Sequence, residues 1–311
     1  MATPSASDSL RVARILSLNL WFDDKLRQAR TQALVEVVRS LSPSLCCFQE
    51  VVPEVAVQLS RALHGWSSSD PGDGSTVAPY GVLMLAQPGL CPRFSFHDLP
   101  TDMCRRLLLA ELPGLAVATV HLESLANQRK REAQLRVCHR VLAAHPDAVL
   151  VGDFNFDSER NFSPPHQPLD NEALGRCMPD YTDVWSALRP SDRGVTFDSQ
   201  VNPFIGSFEQ MRYDRVVAKL RRWTAASIDL VGNEPVDHLV DLSGRERAEL
   251  ERPTTPPRPN PRARRSPSFD DFGGFGFSLD SPCVVGDGGG FGALSPHAPE
   301  PPPPPSAAAA E

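Results

Sequence analysis

The feature that most constrains this chain is a repeated pairing, in which an apolar run of strand length is closed by a small polar set. Residues 149–157, VLVGDFNFD, show it: the apolar run reaches a glycine, and Asp153 and Asn155 follow. RVARILSLNL closes at Asn19, SLCCFQEV at Gln49 and Glu50, and TVHLES at His121 and Ser124, while Asp237 and His238 stand beside the apolar part of VDHLVDL. One such end is ordinary turn chemistry, since Asp and Asn hydrogen-bond to their own backbone in loops. Repeated along one chain, the ends fit better as rigid mounts converging on a common site.

What lies between these runs sets the fold class. After Asp23 and Asp24, residues of helix-capping type, Leu26, Ala29, Ala33, Leu34, Val37, Val38 and Leu41 recur at helical spacing. Pro53 suits a first helical turn and opens a helix to about Leu63, and an amphipathic helix is expected over about 127–144. YGVLMLAQ reads as a strand, and RRLLLAELPGLAVATVHLES as two strands joined through Pro113 and Gly114. GVTFDS, RYDRVVAK, RWTAASIDLVG and DHLVDL are also read as strands. Helices separate some strands but not all, which predicts an α+β fold of layered sheets covered by helices.

Composition bounds the domain. From Glu251 onward lie 14 of the 31 prolines and 8 of the 20 glycines, a mixture that cannot bury enough apolar surface to offset its ordering entropy. The expected organisation is a disordered N-terminus over 1–10, a catalytic domain over 11–245 and a disordered Pro/Gly-rich tail over 246–311. RARRSPSF in the tail sets Ser266 and Ser268 beside a basic run, in the manner of a phosphorylation or nuclear-import signal, with an inert linker as the alternative. Protein partners of the tail are not legible.

The 7 cysteines are odd in number and form no CxxC pair, which argues for reduced thiols and against a zinc site. The start MATPSASDSL lacks the charged stretch followed by an apolar one that is expected of a signal peptide, and no run of about 18 apolar residues occurs. A soluble intracellular protein of the nucleus or cytoplasm, without a membrane span, is expected. The net charge of −7 disfavours coating of nucleic acid by bulk electrostatics but permits binding of a nucleic-acid end through local arginines.

The donor set has its own chemistry. Carboxylates and amide oxygens without a thiolate suit a hard cation such as magnesium or manganese, held by one or two carboxylates plus water and substrate phosphate. A histidine beside a carboxylate serves as a general acid or stabilises charge. The composite is a metal-assisted phosphoester hydrolase.

In order and spacing, SLNLWFD, CFQEV, TVHLES, VGDFN and VDHLVDL resemble the endonuclease/exonuclease/phosphatase superfamily, over nearly all of residues 11–245. Within it, LPTDMCRRLLL, HLES, TFDSQVN and RYDRVV are most similar to the 5′-tyrosyl-DNA phosphodiesterases. The resemblance implies a layered α/β/β/α sandwich of two packed, mostly antiparallel sheets, acting in DNA repair with DNA ends as partner. It implies that Glu50 is the principal metal ligand and that Gln49 helps position the site. Asp153 would orient or deprotonate the attacking water, and Asn155 and Asn19 would hold phosphoryl oxygens. His238, oriented by Asp237, would stabilise charge on phosphorus; His121 and Ser124 would contact the phosphate, and Asp214 would support the network.

The pattern departs at Trp21, where many members carry a metal-binding acid, at Ala126, where the tyrosyl-DNA enzymes carry an arginine that meets DNA, and at Asp157, which stands for an arginine near the phosphotyrosine. Asp23 or Asp24 could stand in for the first, although helix capping is the preferred reading of both, and Arg129 or Arg131 could stand in for the second. The alternatives are the same chemistry on RNA, a nucleotide, an inositol or a lipid phosphate, and a non-catalytic binding domain.

Overall fold

A strand that is apolar at every position is buried on both faces, and the sheets of this protein are arranged to do that. The computed structural model describes residues 12–160, 170–206 and 208–250; the expected disordered ends, including Ser266 and Ser268, lie outside the described residues or, for 246–250, within a helix. One sheet has the order β1-β2-β4-β3, with β1 (Ile15–Asn19) parallel to β2 (Leu45–Val51), and β4 (Gly81–Ala86) antiparallel to both β2 and β3 (Ser67–Ser68). The second runs β5 (Arg93–Asp98), β6 (Arg106–Leu112), β7 (Leu115–His121), β8 (Ala148–Asp153), β12 (Asp214–Lys219), β9 (Thr182–Asp183). Only β7 and β8 are parallel there. A short ribbon pairs β10 (Phe197–Asp198) with β11 (Gln210–Met211).

Alternation of side chains across each strand sorts the apolar residues into layers. In β2, Leu45 and Cys47 meet Leu108, Val117, Val149 and Val151 of the second sheet, forming the core between the sheets. Cys46 and Phe48, the residues between them, pack outward with Val38 and Leu34 of α1 (Arg27–Leu41) and Leu59 of α2 (Pro53–Ala62). On the far side, Leu107, Ala118 and Leu150 pack against Leu135 and Leu142 of α3 (Gln128–Leu142) and Leu174 of α4 (Asp170–Cys177). The result is the expected α/β/β/α sandwich. The short helix α5 (Val184–Leu188) follows β9.

The expected strands after Lys219 do not form. Residues 220–235 carry no strand, and DHLVDL contributes instead a four-residue turn of helix, α6 (Val236–Leu239), opened by Pro235. α7 (Gly244–Leu250) then continues helical structure past residue 245, the expected domain boundary. GVTFDS is reduced to the two residues of β10. Cys46, Cys47, Cys91, Cys138 and Cys177 are free thiols. Among the described residues no helix is long and apolar enough to cross a membrane.

Candidate active site

The inter-sheet core ends along one edge, and the strand positions that would next have faced it carry polar groups. Val117 and Thr119 lead to His121 in β7, and Val149 and Val151 lead to Asp153 in β8; in β12, Ala218 and Val216 lead back to Asp214. Pairing brings these ends level, with His121 opposite Asp153 and Asp153 opposite Asp214. Asn19 ends β1 in the other sheet, opposite Gln49. The β7–β8 approach depends on Gly152: its φ is +130°, and a Cβ there would lie 2.0 Å from the Val120 carbonyl oxygen.

Glu50 reaches the site by an irregularity. Strict alternation would send it to the face opposite Gln49, but the β2–β4 register shifts between Phe48 and Val51, and Glu50 adopts a left-handed φ of 54°. A bulge of this kind re-aims a side chain. Trp21, Cys104, Leu125 and Asn155 also have positive φ and flank Asn19, Arg105, Ser124 and Asp153; such backbone strain clusters at functional sites.

Asn19 Nδ2 donates to Glu50 Oε1 at 3.1 Å and to Asp153 Oδ2 at 2.9 Å. His121 Nε2 lies 3.8 Å from Glu50 Oε1 and 3.7 Å from Asp153 Oδ2. The second oxygen of each acid is held by backbone, Glu50 Oε2 accepting from the Phe22 N–H at 3.0 Å and Asp153 Oδ1 from the Asn155 N–H at 2.8 Å. Burial raises the pKa of both acids, against the hydrogen bonds they accept. Burial, and then the nearby Asp153 charge, lifts Asp214 to about 7, and its Oδ1 has no hydrogen-bond partner among the described residues. His121 is held well below its ordinary value, first by burial and then by the Arg105 charge.

The surrounding polar residues brace this group. Arg105, 7% exposed, donates from Nη1 to His121 Nδ1 at 2.8 Å. Glu123, fully buried, accepts from the Thr101 hydroxyl and the Asp102 N–H and holds the loop that leads to Arg105. Asp157 accepts from the backbone N–H groups of Glu159, Arg160 and Arg212, so its carboxylate ties a loop to the chain before β12. Arg131 is likewise consumed, in a 3.0 Å ion pair with Asp170. Arg105 was legible only as part of LPTDMCRRLLL; a second arginine just before the strand opened by Arg106 was the available signal.

The sequence expectations divide accordingly. Asn19, Glu50, His121, Asp153 and Asp214 are brought together. Asn155 contributes its backbone N–H, while its side chain donates to the Leu122 carbonyl at 2.9 Å. Gln49 is turned into the core, where Nε2 donates to Thr119 Oγ1 and the Cys47 carbonyl, because it occupies the inward position next to Thr119. The Ser124 hydroxyl meets Met103 Sδ at 3.1 Å. Asp237 and His238 are not brought to the group: with no strand to carry them there, both are exposed on α6, and His238 faces Glu234 at 3.8 Å. Asp23 forms a local turn, its Oδ1 accepting from the Lys25 N–H, and does not cap α1.

Ligand atoms of Glu50, His121 and Asp153 all lie within 4.8 Å of one another. Two buried carboxylates facing each other are unfavourable when both are ionised, and an oxygen-seeking divalent cation relieves that repulsion. The donor set therefore fits magnesium or manganese. The carboxylates, the Asn19 amide and the imidazole together can hold a cation, a water and a phosphoryl group on one rigid edge.

The sequence model of the Endonuclease/Exonuclease/phosphatase family matches residues 16–268. No curated protein matches the chain. Among solved structures, D. rerio TDP2 complexed with a single-strand DNA product is similar at 20% identity and a TM-score of 0.60, over 73% of this chain and 93% of that one. Truncated Caenorhabditis elegans TDP2 is similar at 21% identity and a TM-score of 0.54, over 67% of this chain and 83% of that one. The endonuclease/exonuclease/phosphatase of Beutenbergia cavernae is similar at 18% identity and a TM-score of 0.50, over 71% and 68%. At these identities the likeness is one of fold. The family match spans most of the chain, over the residues that build the fold and its polar edge, and the chain belongs to the Endonuclease/Exonuclease/phosphatase family.

Proposed function

We propose that this protein is a divalent-metal-dependent phosphodiesterase acting on nucleic-acid ends, with a 5′-tyrosyl DNA end as the first substrate to test. The observation that carries the reading is the convergence of Asn19, Glu50, His121 and Asp153, from strands of both sheets, on one point. Members of the family hydrolyse phosphoesters. A bound cation would supply charge for the phosphoryl oxygens and lower the pKa of an attacking water.

Glu50 would hold that cation, a role supported by the bulge that aims its carboxylate and the Phe22 N–H that pins it. Asp153 would accept the proton of the water, a role supported by the Asn155 N–H, which fixes one oxygen and leaves the other at the cluster. His121 offers an N–H group to a phosphoryl oxygen, while the Asn19 amide spends its two N–H groups on holding Glu50 and Asp153 together. The reading assigns no step to Asp237 or His238, which α6 leaves on the surface.

A nucleic-acid substrate is supported by the rim beside Asn19. Trp21 stacks on Phe204 with centroids 5.9 Å apart, Arg30 lies 4.9 Å from the Trp21 ring, and Lys25 lies 4.0 Å from the Phe204 ring. Aromatic groups interleaved with cations suit nucleic acid better than an acyl chain. Asp157 is buried, and its carboxylate is taken up by backbone N–H groups.

The test is release of product from a 5′-phosphotyrosyl oligonucleotide and from a simple aryl phosphodiester, with and without magnesium, by wild type and Asp153→Asn. Magnesium-dependent cleavage of the oligonucleotide, lost in the variant, is expected. Cleavage of the aryl ester alone would redirect the reading to another phosphoester, and inertness on both would count against catalysis.

A further inference from the structure

His121 offers a nitrogen to the same space as Glu50 and Asp153, and by distance alone the three make a ready tripod for a metal ion. The group on the other side of the ring says otherwise. Arg105 Nη1 lies 2.8 Å from His121 Nδ1, and both residues are buried, at 7% and 4% exposure. A guanidinium has donors and no acceptor, and it stays protonated in proteins. Nδ1 must therefore be the acceptor, which in a neutral imidazole puts the single N–H on Nε2. Nε2 is the nitrogen that points toward Glu50 and Asp153.

A histidine that binds metal through one nitrogen donates the other N–H to a carboxylate, a carbonyl or water. Here the partner on that side is a donor, the reverse of that arrangement. We propose that Arg105 is a positioning residue that locks His121 in the Nε2–H form, so that His121 stays outside the metal's ligand shell and acts as a hydrogen-bond donor to a phosphoryl oxygen of the substrate. The inference deepens the hydrolase reading and rests on it only for the identity of the acceptor; the tautomer is a property of the protein alone.

The first test needs no substrate and no variant. In the metal-free full-length protein with ¹⁵N-labelled histidine, long-range nitrogen–proton correlation should show His121 protonated at Nε2 and bare at Nδ1. The second is manganese binding by calorimetry: His121→Gln should bind within about threefold of wild type, whereas Glu50→Gln should lose about tenfold or more, the least expected from loss of metal-site support. Arg105→Met should release the lock, giving a mixture of tautomers. An Nδ1–H form in the wild type, or a tenfold loss of manganese affinity in His121→Gln, would overturn the proposal. If the protein cleaved no phosphodiester but showed the Nε2–H form, the hydrolase reading would fail and the Arg105–His121 lock would stand.

Discussion

Asn19 Nδ2 donates to Asp153 Oδ2 at 2.9 Å, and this bond joins the first strand of one sheet to the central region of the other across 134 positions in sequence. The same nitrogen reaches Glu50 Oε1 at 3.1 Å. A single amide thus bridges two acids that would otherwise repel, at the edge where the inter-sheet core gives out.

Removing either acid should stop hydrolysis without unfolding the domain. Asp153→Asn is expected to lower kcat by about 10²–10⁴-fold, the range for loss of a general base, with an unchanged circular dichroism spectrum. Glu50→Gln should also lose the thermal stabilisation that millimolar magnesium gives the wild type, since a ligand that binds only the folded state raises its stability. Near-normal turnover by either variant would show that the acids are misassigned.

Asp214 makes the metal-free protein sensitive to pH. Its folded-state pKa is raised from 3.8 to about 7 by burial and by Asp153. Between those values the folded state keeps a proton that the unfolded chain has released, so this group makes stability fall as pH rises from about 4 to about 7. Thermal unfolding in chelator should show that decline, and Asp214→Asn should flatten it and raise the Tm near pH 8 by a few degrees, at roughly 2–4 °C per kcal/mol for a domain of this size. An equal pH slope in the variant would assign the effect to other groups.

Gln49 lies next to Glu50 in sequence but serves the core. Gln49→Leu leaves the Thr119 hydroxyl and the Cys47 carbonyl without their donor, a loss of about 1–3 kcal/mol. Urea unfolding should register that cost, while kcat per folded molecule should change by less than about threefold. A selective loss of substrate affinity would return Gln49 to the site.

Gly152 is required by the backbone. Gly152→Ala must resolve a 2.0 Å contact with the Val120 carbonyl at a φ of +130°, and about 3 kcal/mol or more of destabilisation is expected. Because the contact lies one residue before Asp153, magnesium affinity should weaken along with the Tm.

The sandwich was legible because its physics is local. Runs such as LCCF and AVLVG are apolar at every position, and only a strand buried on both faces uses such a run. The polar residues that end such runs include Asn19, Glu50, His121 and Asp153, the group the structure brings together. The region after Lys219 was misread for the same reason: strand-like composition says nothing about whether a neighbouring edge is available, and in the structure residues 220–235 pair with none.

What the sequence by itself determined is the alternation that separates the helix-facing from the sheet-facing sides of each strand, and the polar chemistry at the strand ends. Tertiary structure alone decided how each end is used. A bulge after Phe48 turned Glu50 toward the site and left Gln49 in the core, and the loop held by Glu123 brought Arg105 against His121. Hydrogen bonds between residues far apart in sequence depend on register and loop path, which no local pattern encodes; a periodicity of two can say which face a side chain takes, but not what waits there.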